Sequence, residues 1–415
     1  MKASILYISY DGMLDPLGQS QVIPYLVQLS KHFGGIILLS FEKKSRPRAS
    51  KVELATKLSA CGIEWIPIAF TEGSGSVRKL WDLSKMIIMT LAIVGSRKVR
   101  LIHARGHLGA LSASLIKLVF PLKLLFDFRG LWVDERVDKG GWKLERKLDR
   151  FQFNLFKRFE HALLSRADHI VVLTERVVTE IMRISGRQRS DITVVPCCAD
   201  FDHFKLVSSE SRSLAKRKFS WLETDLVIGY LGSVGQMYMV DEFALFARQC
   251  RNFFQSVKVL AITPDGEAFR QLVSQSVDGD AAASYVVVSA NREEVPEVAA
   301  AFDVLVSFIR PSYARQAASP TKIAESFALG IPVVTNHGIG DLSNLIPAVA
   351  GGLVVDLGDK QATKCSKDEI DTILKINGEE LRCRARIILG LEVAIERYSQ
   401  VYKRLGLDYL PTKQG

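Results

Sequence analysis

The sequence has no uninterrupted apolar stretch of the ~20 residues that a bilayer-spanning helix needs. Met86 to Val94 is apolar but far shorter, and the run from Leu108 to Phe126 is broken by Lys117, Pro121 and Lys123. A membrane-spanning helix is therefore not expected. Met1-Lys2-Ala3-Ser4 runs straight into Ile5-Leu6-Tyr7-Ile8, and Asp11 follows where a signal peptide would carry small cleavage-site residues. The start is expected to be a first strand and not a targeting segment. Cysteine is sparse. Cys61, Cys197, Cys198, Cys250, Cys365 and Cys383 form no CxxC pair and have no ligand-spaced histidine nearby. That pattern argues against a zinc site or a disulfide framework and fits a reduced cytoplasmic chain. The glycines never fall into GxGxxG, which counts against an ordinary nicotinamide or flavin site. No DxD or histidine cluster is placed as a metal site, so no metal and no bound cofactor are expected. Short-period repeats and low-complexity tracts are also missing.

What is present is a chain of 415 residues, too long for one ordinary core, so two domains are expected. Its 48% hydrophobic and 24% charged content is that of a folded globular protein. The net charge of +10 is unevenly placed: residues 1–205 carry 32 Lys and Arg against 20 Asp and Glu, and the remainder carries 23 against 25. A basic first half points to an anionic partner there, whether membrane surface, phosphorylated acceptor or nucleic acid. Nucleic acid is the weakest of these, because the basic residues do not interleave with aromatics in any recognisable module.

Short β-branched runs alternate with longer stretches of helical period, the signature of parallel sheets covered by helices. In the first half the expected strands are Ser4–Ser9, Gly35–Ser40, Trp65–Ile68, Leu101–His103, Leu122–Asp127, His169–Leu173 and Thr193–Pro196. From Phe201 to Glu223 the pattern lapses into a polar, basic stretch. It then restarts with Leu226–Leu231, Val257–Thr263, Tyr285–Ser289, Val304–Phe308, Pro332–Thr335 and Gly352–Val355. The fold class is therefore α/β, with two tandem Rossmann-like doubly wound domains. Domains are expected at residues 1–205 and 206–385, with a final helical segment over 386–415. Such sheets bind ligands at their carboxyl edges, which places the expected site in a cleft between the two.

The most informative stretch is Ser319-Pro320-Thr321-Lys322-Ile323-Ala324-Glu325-Ser326-Phe327-Ala328-Leu329-Gly330. Ser319 reads as an N-cap with Pro320 at the first helical position, and Gly330 suits the left-handed turn after a helix. Lys322 stands out, because the first helical turn is already electropositive and a cation there is unfavourable unless an anion binds. Helix N-termini hold phosphate readily, and a lysine would strengthen the hold. Glu325, one turn on, could accept both hydroxyls of a ribose. The competing reading is a solvated Lys–Glu pair on a surface helix, worth only ~0.2–0.5 kcal/mol.

The segment from Ser319 to Asp341, including Asn336-His337-Gly338-Ile339-Gly340-Asp341, resembles the donor-binding motif of retaining GT-B glycosyltransferases of the bacterial group-1 family. Gly229-Tyr230-Leu231-Gly232-Ser233-Val234-Gly235 resembles the glycine-containing turn that opens their second domain. Gly18-Gln19-Ser20-Gln21-Val22 resembles their first glycine loop. The resemblance implies that the second domain binds a nucleoside diphosphate sugar, the first binds the acceptor, and the last helix returns to the first domain. It also implies that Glu325 is the second of the family's paired glutamates and holds the ribose. The first glutamate would lie eight positions earlier, where this chain has Ala317, which leaves sugar recognition open. Many relatives carry an Arg and a Lys in the turn that here reads Gly232-Ser233-Val234-Gly235-Gln236-Met237-Tyr238. Lys322, Arg310 and Arg315 are the nearest substitutes. The expected donor-binding set is Gly18, Gly232, Ser233, Arg310, Ser319, Thr321, Lys322 and Glu325.

Asp127-Phe128-Arg129-Gly130-Leu131-Trp132 follows an apolar strand and is where many family members place a histidine facing the donor sugar. None is here. Arg129, Asp127 and His107 form the candidate catalytic set, and His103 is a further candidate. In this family the leaving diphosphate itself assists the incoming hydroxyl, so no metal is implied and the protein orients groups and stabilises charge. Leu144, Leu148, Phe151, Leu155, Phe159 and Leu163 make an apolar stripe beside Lys143, Arg146, Lys147, Arg150, Lys157 and Arg158. The stripe is either core or a face that lies on an anionic membrane. The expected function is hexosyl or N-acetylhexosaminyl transfer, with retention, to a glycan or lipid-linked acceptor of the cell envelope. The expected location is the cytoplasm, peripheral on the inner membrane face. The rivals are a sugar-nucleotide epimerase of the same fold and a non-catalytic nucleotide-sugar-binding subunit.

Overall fold

The computed structural model describes residues 5–73, 76–276, 285–357 and 365–410. Met1–Ser4, on which the expectation about a targeting segment rests, lie outside them. The chain divides into two compact units, Met1–Pro196 with Leu391–Gly415, and Cys197–Gly390.

The first unit holds a seven-stranded sheet of β1 (Ile5–Ser9), β2 (Ile36–Glu42), β3 (Ile63–Ala69), β4 (Leu101–Arg105), β5 (Lys123–Asp127), β6 (His169–Val172) and β7 (Ile192–Val194). Their order is β3-β2-β1-β4-β5-β6-β7, and every pairing is parallel. The second unit holds a six-stranded sheet of β8 (Leu226–Leu231), β9 (Val257–Ile262), β10 (Tyr285–Val288), β11 (Val304–Ser307), β12 (Val333–Asn336) and β13 (Gly352–Val355). Its order is β10-β9-β8-β11-β12-β13, again all parallel. Every expected strand is therefore a strand. The reason is burial on both faces: β1, β2 and β4 are buried along their whole length, which only near-continuous apolar runs satisfy. In each sheet the order reverses next to the first strand, between β1 and β4 and between β8 and β11. Open α/β sheets bind ligands at such a switch, outside the carboxyl ends of the strands.

The polar stretch after Phe201 lies inside the second unit and is not a linker. Phe201 and Phe204 are buried, and Ser208 caps a helix over Ser209–Arg217 by accepting from Ser211 N at 3.1 Å. The carboxyl-terminal helical segment is two helices. Gly378–Leu389 ends at Gly390, whose backbone is extended, and Leu391–Arg404 belongs to the first unit. Its Tyr398 and Tyr402 face His103 of β4, and Tyr402 OH lies 2.7 Å from His103 Nδ1. Among the described residues no helix is long and apolar enough to cross a membrane.

Candidate active site

In the second unit, β8 ends at Leu231 and the chain enters a loop through Gly232, whose φ of +121° strains any residue with a Cβ. The loop folds back on the chain leaving β11. Met239 N donates to Phe308 O at 3.1 Å and Arg310 N to Met237 O at 2.8 Å. Asn336, at the end of β12, fixes the same segment from the other side. Its Oδ1 accepts from Ile309 N and its Nδ2 donates to Ile309 O, both at 2.9 Å. Two loops at the switch point are thus locked together by backbone bonds.

Lys322 points into this junction. A Cβ built on Gly232 would lie 2.8 Å from Lys322 Nζ, so the glycine is what lets the ammonium approach the loop. Nζ sits 4.4 Å from the centre of the Tyr238 ring and 5.4 Å from that of Tyr230. Ring faces attract a cation but do not neutralise it. Among the described residues no carboxylate pairs with the ammonium, and burial lowers its pKa from 10.5 to about 8, an effect that Glu325 only partly offsets. The side chain is half-buried, not sealed.

Glu325 does not pair with Lys322 as the solvated-pair alternative required. Its carboxylate, 12% exposed, accepts from Arg292 Nη1 at 3.3 Å. Burial raises its pKa, opposed by Arg292, Lys322 and His203. His203 Nε2 in turn donates to the Arg292 carbonyl at 3.1 Å. Ser319 departs from expectation. The helix runs over Thr321–Ala328 with Pro320 at its N-cap and no side-chain cap, because Ser319 Oγ accepts instead from Cys197 N at 3.1 Å. The helix end is as expected, with Gly330 at φ +76°. Thr321 occupies the first helical position, and Arg310 and Ser233 are exposed at the loop junction. Arg315 and Ala317 are buried in the short turn Tyr313–Ala317.

In the first unit, Asp127 ends β5 with 1% of its surface exposed. It meets His103 Nε2 at 3.6 Å, Arg105 Nη1 at 3.6 Å and Arg129 Nη1 at 3.4 Å. Burial opposes its charge, but Arg129, His103 and Arg105 together hold its carboxyl far below the usual range. Arg105 also donates from Nε to Asp11 Oδ2 at 3.3 Å. His103 is a packed core residue between Tyr7, Tyr398 and Tyr402, and burial lowers its pKa. His107 lies on the following helix, Gly106–Ile116, with Nε2 at 3.1 Å from the buried Glu160. Lys157 bonds Glu160 at 2.5 Å and Asp134 at 3.0 Å, so His107 is apart from the Asp127 cluster and anchored in a network of its own. Gly18 is buried in the helix Pro16–Gln21, where an added Cβ would meet the Gly12 carbonyl at 2.2 Å. Its missing side chain admits the chain at Gly12 and Met13.

The family comparisons match both units. Residues 45–198 match the model of a glycosyl transferase 4-like domain, and residues 226–366 match that of the glycosyl transferases group 1. The chain belongs to the group-1 glycosyltransferases. Among solved structures this glycosyltransferase is similar to Anabaena HepE in complex with UDP and glucose, with 13% identity, a TM-score of 0.67 and coverage of 97% of this chain and 99% of that one. It is also similar to a glycosyltransferase from Rickettsia africae, with 14% identity, a TM-score of 0.69 and coverage of 97% and 98%. The sucrose-phosphate synthase of Thermosynechococcus elongatus gives 18%, 0.68, 97% and 99%. At such identities the likeness shows the GT-B fold. No curated protein matches by sequence.

Several side chains that shape this glycosyltransferase's candidate site escape a reading by motif. Arg292 sits in the loop after β10, 33 positions before Glu325, and nothing local marks it. Tyr230 and Tyr238 read as strand and loop aromatics until Lys322 is seen between them. Arg105 and Glu160 are buried charges whose partners lie 94 and 53 positions away.

Proposed function

We propose that this glycosyltransferase takes a hexose or N-acetylhexosamine from a nucleoside diphosphate donor and passes it, with retention and without metal, to a hydroxyl of a glycan or lipid-linked acceptor. The observation that carries the proposal is the Lys322 ammonium, held against Gly232 at the β8–β11 switch with two aromatic faces and, among the described residues, no carboxylate paired to it. A desolvated cation that Glu325 only partly offsets, beside a positive-φ glycine and a helix start, suits a diphosphate. HepE, with the same fold, was crystallised with UDP.

In the proposed complex Lys322, the Gly232–Ser233 loop and Arg310 take the diphosphate, and Glu325, oriented by Arg292, takes the ribose hydroxyls. The bond from the sugar's anomeric carbon to the leaving phosphate oxygen breaks, and the acceptor oxygen bonds that carbon on the same face. The acceptor's proton passes to the departing diphosphate. The first unit is proposed to hold the acceptor through the loop bearing Asp127 and Arg129. Ala317, 2% exposed, leaves no carboxylate at the family's first glutamate position, so sugar selection falls to other groups.

A thermal-shift panel of uridine, guanosine and adenosine diphosphates and their sugars tests the reading. A nucleotide bound only by the native state adds about 2.7 kcal/mol at a hundredfold excess over its dissociation constant. Glu325→Ala and Lys322→Ala should each shrink that gain for the winning base, and a chelator should leave it intact. Unchanged gains in both variants would refute the assignment. Donor consumed without any acceptor would assign an epimerase instead.

A further inference from the structure

Of the expected apolar stripe, Leu163 is core, while Leu148, Phe151, Leu155 and Phe159 do not face the core. The helix Lys147–Arg166 turns Glu160, Leu163 and Leu164 inward, and Phe156 packs between Trp132 and Trp142. That arrangement leaves Leu148 66%, Phe151 65%, Leu155 38% and Phe159 47% exposed. These four follow one another at helical spacing and form one continuous face. The inward set is fixed by polar bonds, Glu160 to His107 and Trp142 Nε1 to Gln152 Oε1 at 2.8 Å, so the helix does not roll to bury the stripe. A second helix of the same unit, Ser76–Ser96, exposes Leu80, Trp81, Ile88 and Leu91 along one side. Both helices pack against the helix Gly106–Ile116 that lies between them in sequence. Contiguous exposed apolar side chains on this scale mark an interaction surface.

Charge selects the occupant. Residues 143–159 hold six Lys and Arg against two Asp and Glu. Lys147 and Arg158 border the stripe one turn from Phe151 and Leu155, and neither has a carboxylate partner among the described residues. A second copy seated on this face by two-fold symmetry would bring the cationic border against itself. A bilayer bearing anionic headgroups presents apolar depth and opposite charge together.

We infer that this face of the first unit docks on an anionic membrane surface, with Leu148, Phe151, Leu155 and Phe159 seated at the acyl boundary and Lys147 and Arg158 among the headgroups. The inference stands apart from the donor assignment. Its test is flotation of the full chain with phosphatidylcholine vesicles, with and without phosphatidylglycerol. The protein should float with the anionic vesicles only, less so as salt rises. Lys147→Gln with Arg158→Gln should weaken binding about 25-fold, at roughly fivefold per cation. Phe151→Ser with Leu155→Ser should abolish the remainder. In both variants the melting curve and the nucleotide-induced shift should be unchanged, which separates failure here from failure of the donor reading. Absence of flotation on anionic vesicles, or equal flotation of the variants, would overturn the inference. So would a dimer in sedimentation velocity that the same substitutions dissolve, since it would give the face to a second copy.

Discussion

The two sheets share one strand order around their first strand, and each gathers charge at its carboxyl edge, yet the charges are handled in opposite ways. In the first unit Asp127 is enclosed by Arg105, Arg129 and His103, so that buried positive and negative groups answer one another. In the second unit Lys322 is desolvated between Tyr230 and Tyr238, with Glu325 only partly offsetting the cost and no carboxylate paired to it among the described residues. A closed cluster fixes the geometry of its surroundings. An open cation is a standing cost that a bound anion removes. The same topology therefore supplies a rigid centre in one unit and a desolvated cation in the other.

That contrast predicts opposite signs for two substitutions, the larger first. Asp127→Asn removes the buried carboxylate that Arg105, Arg129 and His103 share and should destabilise the protein by about 3–5 kcal/mol in urea unfolding. A loss below about 1 kcal/mol would mean that the cluster is solvated and the comparison is wrong. Lys322→Met removes a cation with no ion-pair partner among the described residues and keeps much of the stem's packing. The free protein should be no less stable, while nucleoside diphosphate binding measured by calorimetry falls by about 1.5–3 kcal/mol, as expected for a lost bond to a charged group.

The pH dependence separates the units as well. Lys322 has its folded pKa lowered from 10.5 to about 8, so the unfolded chain binds more protons between those values and this residue's contribution to stability rises with pH across that window. Binding behaves in the reverse sense. A diphosphate favours the ammonium, so above about pH 8 binding must take up a proton. The dissociation constant should then rise by up to tenfold per pH unit, about 1.4 kcal/mol each. Lys322→Met should flatten the profile. Asp127 acts at the other extreme: its carboxyl is held far below the ordinary range, so its contribution is intact at neutral pH and is lost only in strong acid.

Much of this fold was legible because parallel strands buried on both faces must be apolar runs, and β8 falls where such a run lies. The oddity of Lys322 was legible too, since a cation in a first helical turn conflicts with the helix's own field. Its counterpart was not. That Lys322 reaches Gly232, 90 positions earlier, depends on how β8 and β11 lie side by side. Arg292 finding Glu325 and Arg105 finding Asp11 are likewise products of topology, invisible to any local window. The stripe at Leu148–Phe159 shows the opposite failure. Helical periodicity located an apolar face correctly but gave no information on which way the helix would turn, and the buried Glu160 decided that.

Ser319 is the subtlest case and gives the smallest effect. A Ser-Pro pair before a helix reads as cap and first residue, yet its hydroxyl serves the Cys197 amide, at the start of the second unit. Ser208, by contrast, does cap its helix. Ser319→Ala should cost about 1 kcal/mol, the net worth of one hydrogen bond, and should speed amide hydrogen exchange at Cys197. Exchange at the first-turn amides of the Thr321–Ala328 helix should not change. Ser208→Ala, of similar magnitude, should instead speed exchange at Ser211. If Ser319→Ala frayed its own helix and left Cys197 protected, the hydroxyl would be a cap after all. The diphosphate would then compete with it for the helix start that Lys322 leaves open.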